Sequence, residues 1–255
     1  MTPARDRSAW IFGGNTPCRQ PPATVQHAWR LVLIGPPGVG KGTQAELLES
    51  ALGACTLSTG ELFRAVGSGF LTADAAAREA HRCMLRGGLV NDDTVLSLVR
   101  QRRDCLRCSG GFMLDGFPRT LVQAEALDRM LAEENSPLDA VVSYELPRPF
   151  VVERLVGRRC CPQCRITYHV TFHRPLVDDL CDRCRGPLVQ RNDDRPEAIQ
   201  TRLNAFDAAT APMLDYYRSR GLLVSVDARG DPLDILARTL DSLVALRESN
   251  ATAAP

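Results

Sequence analysis

One lysine stands in a chain whose other basic side chains are all arginines. The sequence has 31 basic residues, and Lys41 is the only lysine among them. A lysine ammonium is a compact point charge with three donors, and an arginine guanidinium does not reproduce it. We therefore expect Lys41 to lie where the chemistry requires a lysine.

The segment around Lys41 is rich in glycine. It reads "RLVLIGPPGVGKGTQ" and passes from a short apolar run at 31–34 through a glycine-rich loop into a helical pattern. A buried strand, a tight loop and a helix start are typical of a phosphate-binding site, because backbone N–H groups and the helix dipole face the anion. Lys41 would reach the β- and γ-phosphates, and Thr43 would lie near Mg²⁺. Gly42 separates these two residues, which departs by one position from the strict motif, so a structural glycine turn is the alternative.

Four cysteines have the spacing of a metal site. The pattern C-x₂-C-x₁₆-C-x₂-C predicts a tetrahedral Cys₄ zinc site. Four thiolates also suit iron, which stays open as an alternative. Cys160 is interpreted as a packing residue, with His169 and His173 as rival ligands. The predicted ligands are Cys161, Cys164, Cys181 and Cys184.

Several segments of the chain resemble adenylate kinases. "GPPGVGKGTQ" resembles their phosphate loop, "LSTGELFRA" (57–65) the start of their AMP-binding lobe, and "GFMLDGFPRTLVQAEAL" (111–127) their central strand and turn. "GGLVNDDTVLSLV" (87–99) resembles the segment that returns from that lobe. The resemblance spans residue 30 to about residue 245 and implies the reaction MgATP + AMP ⇌ 2 ADP, with zinc giving the lid its shape.

The resemblance also implies roles for single residues. Asp115 would orient the water shell of Mg²⁺, Arg119 would contact the phosphates being joined, and Gln123 would read the adenine edge of AMP. The implied catalytic residues are Lys41, Asp115, Arg119, Arg158, Arg191 and Arg202. The implied ATP-binding residues are Gly38, Val39, Gly40, Lys41, Gly42, Thr43, Arg154, Arg158, Thr167, Tyr168 and Gly230. The implied AMP-binding residues are Thr59, Arg64, Gly88, Leu89, Val90, Gly116, Phe117, Pro118, Arg119, Gln123, Arg191 and Arg202. Asp193 and Asp194 match carboxylates that steer the arginines.

The cysteine segment departs from the family at two positions. Adenylate kinases with a Cys₄ lid usually have glycine after the second and fourth cysteines, where this chain has Arg165 and Arg185. A residue other than glycine at positive φ costs about 1 kcal/mol, which zinc binding can absorb. We expect both arginines to occupy sharp turns below the metal.

Five apolar runs alternate with helical patterns along the chain. They predict strands at 31–34, 55–58, 112–115, 140–145 and 222–226. This order predicts a parallel sheet of about five strands with helices on both faces. The resemblance implies that this α/β architecture is the phosphate-loop nucleoside monophosphate kinase fold, with two inserted lobes. The predicted parts are a disordered tail (1–29), a core (30–57, 88–156 and 195–245), an AMP-binding lobe (58–87), a zinc-binding lid (157–194) and a C-terminal tail (246–255).

The overall charge bears on the partners. The 31 basic and 30 acidic residues nearly cancel, which argues against a nucleic-acid or membrane surface. We expect ATP, AMP and ADP as ligands and a cytoplasmic monomer, with organelle targeting by the first 29 residues as an alternative. Alternative functions are a kinase that uses another monophosphate or GTP, and a nucleotide- and zinc-binding regulator without turnover.

Overall fold

The computed structural model describes residues 8–13, 27–67 and 75–253. Besides regular helices and strands, the chain has a 3₁₀ turn at Asn192–Asp194 and a π-helical turn at Phe206–Thr210. The described strands are β1 Arg30–Ile34, β2 Cys55–Ser58, β3 Phe112–Asp115, β4 Ala140–Glu145, β5 Arg158–Cys160, β6 Thr167–His169 and β7 Leu223–Asp227. The described helices are α1 Ser8–Phe12, α2 Lys41–Leu52, α3 Thr59–Gly67, α4 Ala75–Leu85, α5 Asp92–Arg100, α6 Arg103–Leu106, α7 Leu121–Glu133, α8 Arg148–Val156, α9 Pro196–Ala205, α10 Ala211–Ser219 and α11 Pro232–Ala253.

Five strands form one parallel sheet in the order β2-β3-β1-β4-β7. Their runs are apolar because a parallel sheet with helices on both faces has no solvent-facing side. In β1, Val32 belongs to the core cluster on one face, while Leu31 and Leu33 belong to the cluster on the other face. The predicted fold class is confirmed. Every predicted strand is present, and only the bounds of the first and last differ, by one residue.

The carboxyl ends of the parallel strands lie at one edge of the sheet. β1 and β3 pair from Arg30 with Phe112 to Leu33 with Asp115, so the loop that follows β1 lies beside Asp115. β2 pairs with β3 on the other side and brings Ser58 opposite Asp115. Ligand sites of open α/β sheets lie at this edge, where loops emerge from neighbouring strands.

The cysteine segment folds on a small scale of its own. β5 and β6 pair antiparallel, with Arg158 opposite His169. Behind this hairpin lies a small buried cluster of two cysteines, Tyr168 and Leu188. Such a cluster buries too little apolar surface to hold a fold alone, which agrees with the prediction of a metal in this segment.

The predicted disorder of residues 1–29 is wrong for α1. Trp10 is only 1% exposed and, with Ile11, joins the core cluster formed by β2, β3, α3, α5 and α7. The apolar residues of "SAWIF" are few, and proline and glycine lie on either side of them along the chain. The segment therefore shows no helical pattern in the sequence. Residues 1–7 and 14–26 of that prediction lie outside the described part.

The predicted C-terminal tail is helical up to Ala253, where α11 ends. Leu246 packs against the core cluster that contains Leu31 and Leu33, and "RESNATA" contains no glycine or proline that would end the helix.

None of the helices in the described ranges is both long and apolar enough to cross a lipid bilayer.

Candidate active site

The loop after β1 wraps around the start of α2. The Lys41 ammonium donates to the carbonyl oxygens of Gly35 at 2.7 Å and Pro36 at 3.0 Å. Gly38 has φ 84°, and a Cβ there would lie 2.6 Å from Cγ of Leu155. Glycine is therefore needed both for the backbone turn and for the close packing of α8 on the loop.

A cavity of about 910 Å³ opens at the carboxyl edge of the sheet and is called the large cavity below. Its walls combine the glycine loop, the end of β3 and the arginines that flank the cysteine segment. Such a concentration of cations around one space suits ligands with several phosphate groups. The cations on its walls include Lys41, Arg64, Arg119, Arg158, Arg191 and Arg202.

Burial, together with repulsion between neighbouring cations, lowers the pKa of several of these side chains. Burial lowers the pKa of Lys41 to about 7; Asp115 opposes this shift, and the neighbouring arginines reinforce it. Burial, followed by the charge of Arg191, lowers the pKa of Arg64 to about 10. Burial likewise lowers the pKa of Arg202 to about 10. Bound phosphates would offset this mutual repulsion, so the site favours anionic ligands.

Asp194 joins two of the arginines. Its side chain is fully buried and accepts two hydrogen bonds from Arg158 in a bidentate pair, at 2.7 Å from Nε and 2.5 Å from Nη2. Burial opposes protonation of Arg158, but the bond to Asp194 raises its pKa overall. Arg202 donates to the same carboxylate at 3.1 Å and to Asp193 at 3.1 Å. The 3₁₀ turn therefore ties the start of the cysteine segment to α9.

Two further arginines have protein partners. Arg154 donates to the carbonyl of Val39 at 2.9 Å and to that of Ala228 at 3.1 Å. It therefore links the glycine loop to the loop after β7, where Gly230 lines the large cavity. Nε of Arg191 lies 3.0 Å from the Cys160 sulfur, so the spare cysteine packs against a cavity arginine.

Asp115 ends β3 beside the cations. Its carboxylate accepts from the Ser58 hydroxyl at 3.2 Å. Asp115 and Thr43 both line the large cavity, and oxygen donors are the ligands that Mg²⁺ prefers. The donor set therefore fits a magnesium ion that accompanies bound phosphates.

A small pocket adjoins the large cavity. Its space is about 20 Å³, roughly enough for one water molecule. Inside it, the Gln123 amide is already oriented: its oxygen accepts from the Arg119 backbone N–H at 2.8 Å, and its nitrogen donates to Asp92 at 2.7 Å. The walls include Thr59, Gly88, Leu89, Val90, Gly116, Arg119 and Gln123.

The four predicted zinc ligands lie together. The sulfurs of Cys161, Cys164, Cys181 and Cys184 are all within 4.8 Å of one another. A tetrahedron with Zn–S bonds of about 2.3 Å needs sulfurs about 3.8 Å apart, so the four sulfurs are close enough to enclose one zinc ion. Among the described residues, neither Cys160 nor the two rival histidines belongs to this group.

Arg165 and Arg185 occupy the turns below the sulfurs. Each has φ 60° and donates its backbone N–H to the carbonyl of the cysteine four residues earlier, at 2.9 and 2.8 Å. Both arginines thus occupy the sharp turns expected from the sequence, and the four thiols still lie together.

Comparison with known proteins agrees with this geometry. The model of the adenylate kinase family matches residues 33–222. The chain is similar to the adenylate kinase of Carboxydothermus hydrogenoformans, 44% identical over 84% of this chain and 99% of the relative. It is also similar to those of Moorella thermoacetica, 46% identical over 82% and 95%, and Streptomyces griseus, 42% identical over 86% and 99%. The chain belongs to the adenylate kinase family. It is a phosphotransferase that acts on nucleoside monophosphates.

Most of the site residues implied by the adenylate kinase resemblance line the large cavity or the small pocket, with two exceptions. The Phe117 side chain is fully buried in the core cluster and lines neither space. Tyr168 touches the large cavity, but its ring is 3% exposed and its hydroxyl lies 3.6 Å from the Cys181 sulfur. The exposed Thr167 is the better of the two positions for contact with a nucleotide.

Sequence reasoning missed two supports of the adenylate kinase site. Asp92 orients the Gln123 amide, and the Thr210 hydroxyl donates to the Arg119 carbonyl at 2.9 Å. Asp92 reads as a helix-start carboxylate and Thr210 as a helix residue, so no local signal marks either one. Only the fold shows that they hold Gln123 and Arg119.

Proposed function

We propose that this adenylate kinase transfers the γ-phosphoryl group of ATP to AMP, giving two ADP, with Mg²⁺ on the phosphates and zinc in the lid. The main support is that Lys41 and eight arginines line the large cavity, which adjoins the Gln123 pocket. The large cavity would hold the ATP phosphates, and the small pocket would hold the base of AMP. Arg119 lines both spaces, which suits a residue that contacts both reacting phosphates.

Phosphoryl transfer requires mainly alignment and charge neutralisation. An oxygen of the AMP phosphate forms a bond to the γ-phosphorus while the bond to the departing ADP oxygen breaks. Lys41 would hold the β- and γ-phosphates, and Arg119, Arg158, Arg191 and Arg202 would neutralise the charge shared by donor and acceptor. Mg²⁺, held near Asp115 and Thr43, would add further positive charge to the ATP phosphates.

The orientation of Gln123 explains how it would recognise adenine. An amide has two N–H donors and two acceptor lone pairs, and the structure uses one donor on Asp92 and one acceptor on Arg119. One donor and one acceptor remain, which match the ring nitrogen and the amino group of adenine. The small pocket is too narrow for a purine, so we propose that the lobe 58–87 moves when AMP enters.

We propose that the segment 157–194 is the lid over ATP and that zinc gives it a fixed shape. The four gathered thiols and the small apolar cluster support this proposal. Arg158 would follow lid movement, since it lies at the start of β5 and pairs with Asp194 at the other end of the segment. A cytoplasmic monomer stays a prediction, which sedimentation and cell fractionation can test.

Arg119→Ala tests the assignment of the phosphoryl-transfer site. We expect turnover with ATP and AMP to fall by about 10³-fold or more, because the arginine neutralises charge at the reacting phosphates. The matched control is Arg218→Ala, which removes an exposed arginine that pairs with Asp215 on α10. Turnover near the wild-type level in a folded Arg119→Ala protein would remove Arg119 from the mechanism.

A further inference from the structure

The short helix α1 lies outside the part of the chain that matches the family. The family match begins at residue 33, whereas α1 is Ser8–Phe12. The indole of Trp10 in α1 is buried and donates from Nε1 to the Ser58 carbonyl at 3.0 Å. The helix packs directly on α3. The structure therefore adds a specific contact that the family pattern does not contain.

A buried arginine fixes α1 in place. Arg102 is 5% exposed and donates to the carbonyls of Trp10 and Ile11 in α1 and to that of Leu98 in α5. Exposed carbonyls at helix C-termini attract cations, so one guanidinium satisfies two helix ends. Gly13 ends α1 with φ 64°, and a Cβ there would lie 3.0 Å from the Arg102 guanidinium carbon.

Arg102 and α1 stabilise each other through these hydrogen bonds. Burial lowers the pKa of Arg102, and no carboxylate in the described ranges forms an ion pair with it. Two of its three described acceptors belong to α1. Removing α1 would therefore take away two of the three described acceptors of the Arg102 guanidinium.

The contact of Trp10 lies beside the predicted AMP site. Ser58 ends β2, its hydroxyl donates to Asp115, and the next residue, Thr59, lines the small pocket. α3 begins at Thr59 and carries Arg64. The Trp10 indole therefore holds the backbone at the point where the chain leaves the sheet and enters the proposed AMP-binding lobe.

We propose that α1 is an added positioning element of the acceptor site, with Trp10 as the residue that fixes Ser58 and the start of α3. This inference rests on the proposed function, since it assigns AMP to the small pocket. By holding the start of α3 against the sheet, α1 keeps Thr59 and Arg64 placed for the acceptor before it binds. Such preorganisation lowers the cost of ordering the site and so strengthens acceptor binding.

The test compares Trp10→Phe with Trp29→Phe in steady-state assays that vary AMP and ATP separately. Both variants replace a buried indole by a smaller aromatic ring, but Trp29 lies in the core cluster on the opposite face of the sheet. We expect Trp10→Phe to raise KM for AMP about three- to tenfold, as for one lost hydrogen bond to a buried carbonyl, with KM for ATP unchanged. Trp29→Phe should change neither KM.

Arg102→Lys is a second variant that decides the matter if Trp10→Phe does not fold. A lysine keeps the charge, but one ammonium does not reproduce the planar fork that spans both helix ends, so the same rise in KM for AMP is expected. An unchanged KM for AMP, or equal rises in both KM values, would overturn the inference and leave α1 a purely stabilising contact. If the wild-type protein shows no turnover with AMP, the proposed function fails. The comparison of Trp10→Phe with wild type is then made on AMP and ATP affinities by calorimetry.

Discussion

Lys41 is the side chain on which the electrostatics of the site depend most. It folds back over the glycine loop, and burial lowers its pKa to about 7. Arginine keeps its proton under the same conditions because its intrinsic pKa is much higher. The single lysine of the chain is therefore the cation whose charge responds most readily to bound phosphate near neutral pH.

ATP binding should take up protons near pH 8. With a pKa of about 7, free Lys41 is mostly deprotonated at pH 8, and a neighbouring triphosphate raises its pKa, so uptake approaches about 0.9 proton per ATP. Uptake should vanish as the pH falls below about 6, where the free lysine is already charged. Calorimetry in two buffers with different ionisation enthalpies measures this number.

The control is Lys41→Arg, whose guanidinium does not titrate in this range and should abolish the uptake. Equal proton uptake by the wild-type and Lys41→Arg proteins at pH 8 would show that another group is responsible.

Asp194 is the buried carboxylate that balances two cations. Asp194→Asn should lower the free energy of unfolding by about 3 kcal/mol, because the largely buried Arg158 loses its paired carboxylate and Arg202 keeps only Asp193. Urea unfolding at a fixed zinc content measures the change. Asp227→Asn removes the exposed pair with Arg229 and should have little effect. If the two substitutions have equal effects, the Asp194 pairs do not contribute to stability as argued.

Single side chains were predictable where type and spacing carry the signal. Lys41 follows from the glycine loop, and Cys161 and Cys181 each begin a C-x₂-C pair. Asp92 and Thr210 could not be predicted, because they act through contacts with Gln123 and Arg119 that lie far away along the chain. Only the folded arrangement shows such support.

Among the structural elements, the cysteine segment has the least apolar core of its own. Its buried cluster holds only Cys161, Tyr168, Cys181 and Leu188. The turns at Arg165 and Arg185 add the cost of positive φ at residues other than glycine. We therefore expect the shape of this segment to depend on the proposed metal.

Removing zinc with a chelator should unfold the segment 158–189 locally and leave the five-stranded sheet intact. Structural zinc contributes roughly 10 kcal/mol or more of apparent binding free energy, far more than this small cluster supplies. Hydrogen exchange before and after chelation, with zinc quantified, should show lost protection in β5 and β6 and retained protection in β1 and β4. Unchanged protection of β5 and β6 in zinc-free protein would contradict a structural role for the metal.

Elements were predictable from pattern when they are buried on both sides. β1 and β4 are apolar runs, and their bounds follow closely from the sequence. α1 was missed because five residues between unpatterned stretches give no periodic signal, and its stability comes from Trp10 and Arg102. The helical state of residues 246–253 has no clear sequence signal, because these residues are mostly polar and contribute little packing.

The molecule as a whole is nearly neutral but its positive charge is unevenly placed. The chain has 31 basic and 30 acidic residues, yet Lys41 and eight arginines line one cavity. Asp115 and four other carboxylates on the cavity walls, together with Asp193 and Asp194 beside the arginines, offset only part of this charge. The excess is left for the phosphates of ATP and AMP, so the distribution of charge, not its total, matches the proposed reaction.

The most direct measurement is turnover with MgATP and each of AMP, GMP, CMP and UMP, on protein whose zinc content is determined in the same preparation. The account predicts fast turnover with AMP, much slower turnover with the other three, and one zinc per chain. The remaining donor and acceptor of the Gln123 amide match adenine, and four thiols bind one metal. Preferred turnover with another monophosphate, or no turnover by folded, zinc-loaded protein, would contradict it.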